Sequence, residues 1–195
     1  MTINTIIQKC IVVMMLSVGF AAQGQWKQLQ SGDLLFFSDT AGMGGAVKES
    51  TGQYTHVALL EREGDSLFII DATPTLGVTR RNLSPLTFHL SPCQVYRLAV
   101  PFDTAAIIDR AHALIGKPYD NAFLPDNDAY YCSELIQAVF DTFFPSAPMN
   151  WRDKDGNLPQ YWQEHFKKLG MPVPEGVMGT NPTDLSRSPR LHKLN

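Results

Sequence analysis

Two β-rich runs, Thr55-His-Val-Ala-Leu-Leu60 and Leu67-Phe-Ile-Ile-Asp-Ala72, lie close together in the chain, with the short polar segment Glu61 to Ser66 between them. β-branched and aromatic residues bounded by a charged segment that contains Glu63-Gly64 are the signature of an antiparallel hairpin. Around it, Asp33 to Phe37, Gly77 to Leu83 and Cys93 to Ala99 read as further short strands, while Ala41 to Gly45 reads as a glycine-rich connection. Ser84-Pro85 and Ser91-Pro92 mark turns.

Helical spacing takes over in the second half. Asp103-Thr104 can cap a helix that carries Ile107, Ile108, Ala111 and Leu114 on one face and ends at Gly116. A second helix starts near Cys132, buries Leu135, Ile136, Val139, Phe140 and Phe143, and stops at Pro145. A third follows Pro159 over Tyr161 to Leu169, and the tail from Pro172 has no clear period. Strands followed by helices imply an α+β domain around an antiparallel sheet. Trp151, Tyr161, Trp162 and Phe166 read as core, with a substrate-facing wall as the alternative, and Gly179-Thr-Asn-Pro182 reads as a surface loop, with a place near the cleft as the alternative.

The chain's start carries a different signal. Lys9 precedes the apolar stretch Cys10 to Phe20, which suits a signal-peptide core and is too short to cross a bilayer, and Ala22-Gln23-Gly24 supplies small residues for cleavage after Gly24. The expectation is an exported protein, periplasmic or extracellular, with residues 25–195 forming a single domain. With Lys plus Arg at 16, Asp plus Glu at 19 and no basic run, nucleic acid is not an expected partner. Export leaves Cys93 and Cys132, too few for a disulfide framework but enough for one bridge.

Two pieces carry chemistry. If the hairpin loop is the two-residue Glu63-Gly64, Arg62 faces Asp65 and His56 lies directly across from Asp71, so an imidazole and a carboxylate share a sheet face. Such a carboxylate holds the ring in one tautomer and leaves its other nitrogen free, although a purely structural pair fits the same pattern. Glu61 and Glu63 are rival carboxylates whose odd offsets from His56 put them on the opposite face. Cys132 heads an apolar-periodic helix in Tyr130-Tyr-Cys-Ser-Glu-Leu-Ile136. A helix's first turn offers positive dipole and unpaired N–H groups, which favour a thiolate and can receive an oxyanion. A buried, inert cysteine or a bridge to Cys93 is compatible with the same residues.

The segments Gly32-Asp33-Leu-Leu-Phe36, Thr55-His-Val-Ala-Leu-Leu60, Ile70-Asp-Ala72, Gly116-Lys-Pro-Tyr-Asp120 and Tyr131-Cys-Ser-Glu-Leu135 resemble, in that order, the YiiX-like cysteine hydrolases. These are circularly permuted relatives of NlpC-type cell-wall peptidases. The resemblance spans about Gly32 to Phe144. It implies a permuted papain-like fold, in which an antiparallel, barrel-like sheet packs against the helix bearing a catalytic cysteine. It makes Cys132 the nucleophile, His56 its general base and Asp71 the orienting carboxylate, at a position where the family usually has a glutamate. Tyr119 corresponds to the family tyrosine lining the site, and Ser133 and Glu134 join it as residues near the oxyanion or substrate. Glu134 matches the Cys-Ser-Glu-Leu form of the YiiX-like branch.

The implied reaction is hydrolysis of amide bonds in cell-wall or related peptides through an acyl-thioester. Alternatives are a lipid esterase or acyltransferase using the same residues, and a non-catalytic exported binding module in which Cys93 and Cys132 are bridged. No cofactor is expected. His89, His112, His165 and His192 lack ligand spacing, so no metal site is expected either.

Overall fold

The computed structural model describes residues 26–84, 88 and 93–194; the leader expected over residues 1–24 and the turns at Pro85 and Ser91-Pro92 lie outside the described residues. Six strands form one antiparallel sheet: β1 (Leu34–Phe37), β2 (His56–Glu63), β3 (Ser66–Thr73), β4 (Gly77–Leu83), β5 (Cys93–Leu98) and β8 (Leu191–Lys193), in the order β4-β3-β2-β1-β5-β8. The sheet is open, with β4 and β8 as its edges, so the barrel-like expectation is met only as a single antiparallel sheet and not as a closed barrel. A two-stranded ribbon, β6 (Ala147–Pro148) with β7 (Met178–Gly179), stands apart.

Because side chains alternate across a strand, the sheet has two apolar faces. Leu34, Phe36, Val57, Leu59, Ile70 and Ala72 pack under helices α2 (Thr104–Leu114) and α3 (Cys132–Phe140), which contribute Ile107, Ala111, Leu135, Ile136 and Val139. Leu35, Ala58, Leu60, Leu67 and Ile69 form the other face, closed by Leu29 and Phe88. Burial on both sides explains the uninterrupted apolar run Val57 to Leu60. Val57, Leu59 and Leu60 each contribute about 1.5–3 kcal/mol on leaving water.

The expected helices form as their signals specify. Asp103 caps α2 by accepting from the Ala106 N–H at 3.1 Å. α3 ends at Phe140 and a 3₁₀ turn over Asp141–Phe143 completes it before Pro145. α4 (Gln160–Leu169) follows Pro159 and ends at Gly170 in the left-handed region (φ 69°).

Three expectations are corrected. Ala41 to Gly45 is not a connection: Gly42–Thr51 is a helix, α1. Its small residues let its backbone approach the tryptophans, so that Trp162 Nε1 donates to the Ala46 carbonyl at 3.3 Å and Ser50 donates to the Trp151 carbonyl at 2.8 Å. Tertiary packing here overrides the poor helix propensity of glycine. Gly179 to Pro182 is not a surface loop either, since Thr180 and Thr183 are buried and α5 (Pro182–Ser186) packs under the sheet through Leu185.

The third correction concerns the hairpin. Its loop is Gly64-Asp65, with Glu63 opposite Ser66 and Leu59 opposite Ile70, so the register is displaced by two residues from a Glu63-Gly64 loop. Gly64 takes φ 55°, a conformation glycine reaches without steric cost. Trp151, Trp162 and Phe166 are core as expected.

Candidate active site

Beyond Leu59 and Ile70 the β2–β3 ladder ends: β2 continues on β1, with His56 opposite Phe37, and β3 continues on β4, with Asp71 opposite Thr79. The two strands part at this point. His56 therefore reaches Asp71 on a diagonal rather than face to face, Nε2 to Oδ2 at 2.8 Å. The Phe37 ring lies 5.8 Å from the imidazole, centroid to centroid, and limits its swing.

Asp71 is 1% exposed. Its carboxylate is held by a second partner that sequence reasoning missed: Arg81 Nη2 donates to both oxygens, at 2.8 Å to Oδ1 and 2.6 Å to Oδ2. Burial alone would raise the carboxyl's pKa, but the bonds and charges of His56 and Arg81 outweigh it and hold the group below the usual aspartate value. The available signal was the alternation in Thr79-Arg80-Arg81-Asn82, which sets Arg81 on the Asp71 face once the β3–β4 register is known.

Cys132 is the first residue of α3, after Tyr131 at the N-cap. The helix's first intrahelical bond runs from Leu135 N–H to the Tyr131 carbonyl at 2.9 Å, so the N–H groups ahead of it have no partner within the helix. Cys132 and His56 line the same cleft, and the sulfur is close enough to act electrostatically on the imidazole. Burial alone would lower the imidazole's pKa, but the charge of Cys132 and the bond to Asp71 overcome this and raise it to about 10. With Nε2 committed to Asp71, Nδ1 is the ring nitrogen left for the sulfur.

Tyr119 reaches the same cleft from the loop after α2, its hydroxyl donating to Met43 Sδ at 3.6 Å. Burial, then the negative charges of Cys132 and Asp120, push its pKa well above the usual value, so it stays a protonated donor. Ser133 is fully buried and its hydroxyl donates to the Thr180 carbonyl at 3.2 Å, so its side chain is already engaged in holding the helix start. Glu134 accepts from the Tyr131 N–H at 3.3 Å, as a residue closing the first turn does. Burial raises its pKa to about 8, with Asp120 and Asp126 adding to the shift and the Tyr131 N–H opposing it.

Glu61 is committed elsewhere, as its offset implied. It is buried on the α2 side, bonded to Arg80 Nε at 2.7 Å and to His112 Nε2 at 3.0 Å. Cys93 and Cys132 are both free, which overturns the bridge between them. Burial pushes the Cys93 thiol up to about 11, the environment of an inert cysteine.

The cleft that joins these groups holds about 560 Å³. His56, Asp71, Arg81 and Cys132 line it together with an apolar wall of Met43, Val47, Phe123, Met149, Trp151 and Trp162. Thr180 and Asn181, from the tail without periodicity, complete its rim.

A family model described as "Permuted papain-like amidase enzyme, YaeF/YiiX, C92 family" matches residues 28–195. The chain belongs to this family. Among solved structures, the chain is similar to metalloprotein yiiX from Escherichia coli O157:H7, with a TM-score of 0.73 and 20% identity, covering 86% of this chain and 97% of that one. A search of curated proteins found no match. The yiiX title names that protein a metalloprotein; in this family member no three His, Cys, Asp or Glu side chains among the described residues are grouped as ligands of one metal ion.

Proposed function

We propose that the protein is an exported cysteine hydrolase that cleaves amide bonds in peptidic substrates, cell-wall peptides among them, with residues 1–24 as a removable leader. The observation that carries this reading is that an imidazole bonded to a buried carboxylate shares one cleft with a cysteine at a helix N-terminus. The Cys132 thiolate, its proton taken by His56, attacks the amide carbon. The tetrahedral oxyanion is received by the free N–H groups at the start of α3, with the Tyr119 hydroxyl as a further donor. Collapse expels the amine, which takes its proton from His56, and leaves an acyl-thioester on Cys132. Water, deprotonated by His56, attacks the thioester carbon, releases the carboxylic acid and returns the proton to the site.

The test compares purified wild type with Cys132→Ala on small peptide amides and acyl esters, and looks by mass for an acyl adduct on the wild-type chain. Turnover and adduct confined to the wild type are expected. Undiminished hydrolysis by Cys132→Ala would reject the mechanism.

A second reading, esterase or acyltransferase action on a lipid, is favoured by one observation, the apolar wall of the cleft. Preferential turnover of long-chain acyl esters over peptide amides in the same screen separates the two.

A further inference from the structure

Asp71 is almost wholly buried, and among the described residues only His56 and Arg81 donate to its carboxylate. Thr79 stands directly opposite it, yet the Thr79 hydroxyl has no hydrogen-bond partner. A buried carboxylate without a cationic partner takes up a proton instead of staying ionised. In the proposed cycle His56 is charged for only part of the time, because it surrenders its proton to the leaving amine. At that stage the one fixed positive charge against Asp71 is the guanidinium.

We infer that Arg81 is the positioning residue of this site, holding Asp71 ionised and turned so that Oδ2 meets His56 throughout the cycle. The inference rests on the hydrolase reading above and adds a residue to it. The Arg81 side chain is 42% exposed along the cleft. The other titratable or charged groups of the cleft are Asp39 from the loop after β1, His56 from β2, Asp71 from β3, Tyr119, Tyr131 and Cys132.

The test needs no natural substrate. The rate at which iodoacetamide alkylates Cys132 is measured between pH 5 and 8 for the full chain, for His56→Ala, and for Arg81→Met and Arg81→Lys, alongside kcat and KM on a turned-over amide. Arg81→Met is expected to lower the alkylation rate near pH 6 and kcat by about tenfold or more, the scale of a misplaced catalytic group, with KM little changed and the thermal midpoint lowered by the loss of the buried carboxylate's partner. Arg81→Lys, which keeps the charge, is expected to recover most of the loss. Where Met impairs folding, Arg81→Gln carries the same comparison.

Wild-type alkylation no faster than that of His56→Ala would sink the hydrolase reading itself. Fast wild-type alkylation matched by Arg81→Met, a change in KM alone, or a lysine variant as impaired as the methionine one would each overturn the role of Arg81 and leave that reading standing.

Discussion

Ser133 and Thr180 are joined through one short bond, the buried serine hydroxyl donating to the threonine carbonyl at 3.2 Å, and Thr180 in turn donates its N–H to the Tyr131 hydroxyl at 3.1 Å. The residues on both sides of Cys132 are thus fastened to a single residue, 49 positions beyond Tyr131 and 47 beyond Ser133. A nucleophile at a helix start, where end fraying is the rule, is held by a distant segment of chain as well as by the first turn of its own helix.

This gives opposite expectations for neighbouring substitutions. Cys132→Ala removes only a sulfur and should abolish turnover while the protein still unfolds in urea as one cooperative transition. Ser133→Ala leaves the Thr180 carbonyl buried without its donor and should cost about 1–2 kcal/mol in urea unfolding, with a lower kcat from a looser first turn. A Ser133→Ala protein as stable and as active as wild type would show that the fastening contributes nothing.

The pH behaviour follows from His56. Its folded pKa is raised to about 10 from an ordinary 6.5, so the charged ring contributes stability that is fully present below 6.5 and is lost as pH rises through about 10. Amide hydrolysis needs the imidazolium to protonate the leaving amine and should therefore persist into the alkaline range and fall towards pH 10. The negative sulfur is the largest of the raising causes, while burial opposes it. Cys132→Ala should accordingly bring the His56 pKa down. NMR titration of the ring reads both values, and an unchanged midpoint in the alanine variant would separate the ring from the sulfur.

Much of this arrangement was legible from residue pattern alone, and the reason is visible in the hairpin. A register error of one residue flips every side chain to the other face, whereas an error of two preserves the face. Placing the loop at Glu63-Gly64 instead of Gly64-Asp65 therefore kept His56 and Asp71 on one side and misjudged only the angle of their approach. Arg81 was harder to see, because its position depends on the β3–β4 register, set by Thr73 opposite Gly77 across Pro74 to Leu76. Thr180 was illegible: β7 is two residues long and α5 five, and elements that short arise from contacts with the rest of the fold, not from local period.

Gly77 connects that turn to the cleft. It adopts φ 66°, and a Cβ there would collide with the Lys117 carbonyl. The same stretch is stitched to β4 by Val78 N–H to Lys117 O and Gly116 N–H to Val78 O, both 2.9 Å, which fixes the Gly116-Lys-Pro-Tyr119 segment and with it Tyr119. Gly77→Ala should destabilise the protein by about 2 kcal/mol or more through strain and displacement and lower kcat as Tyr119 shifts. Thermal unfolding and steady-state kinetics check both parts, and an alanine variant with wild-type values would disconnect the turn from the site.

Glu134 supplies a stability signature with a defined pH window. Its folded pKa of about 8 stands above the ordinary 4.5, chiefly because burial disfavours the carboxylate. A group raised in this way contributes stability present below 4.5 and lost as pH rises through about 8, so the wild type should weaken between those values. Glu134→Gln keeps an acceptor for the Tyr131 N–H without the charge and should remove that part of the pH dependence. After allowance for solvent screening of a half-buried group, the variant should gain on the order of 1–2 kcal/mol over wild type at pH 9 and little at pH 5, read from paired urea titrations. Equal slopes of stability against pH in the two proteins would mean that Glu134 is ionised without penalty and that its surroundings are wetter than its burial indicates.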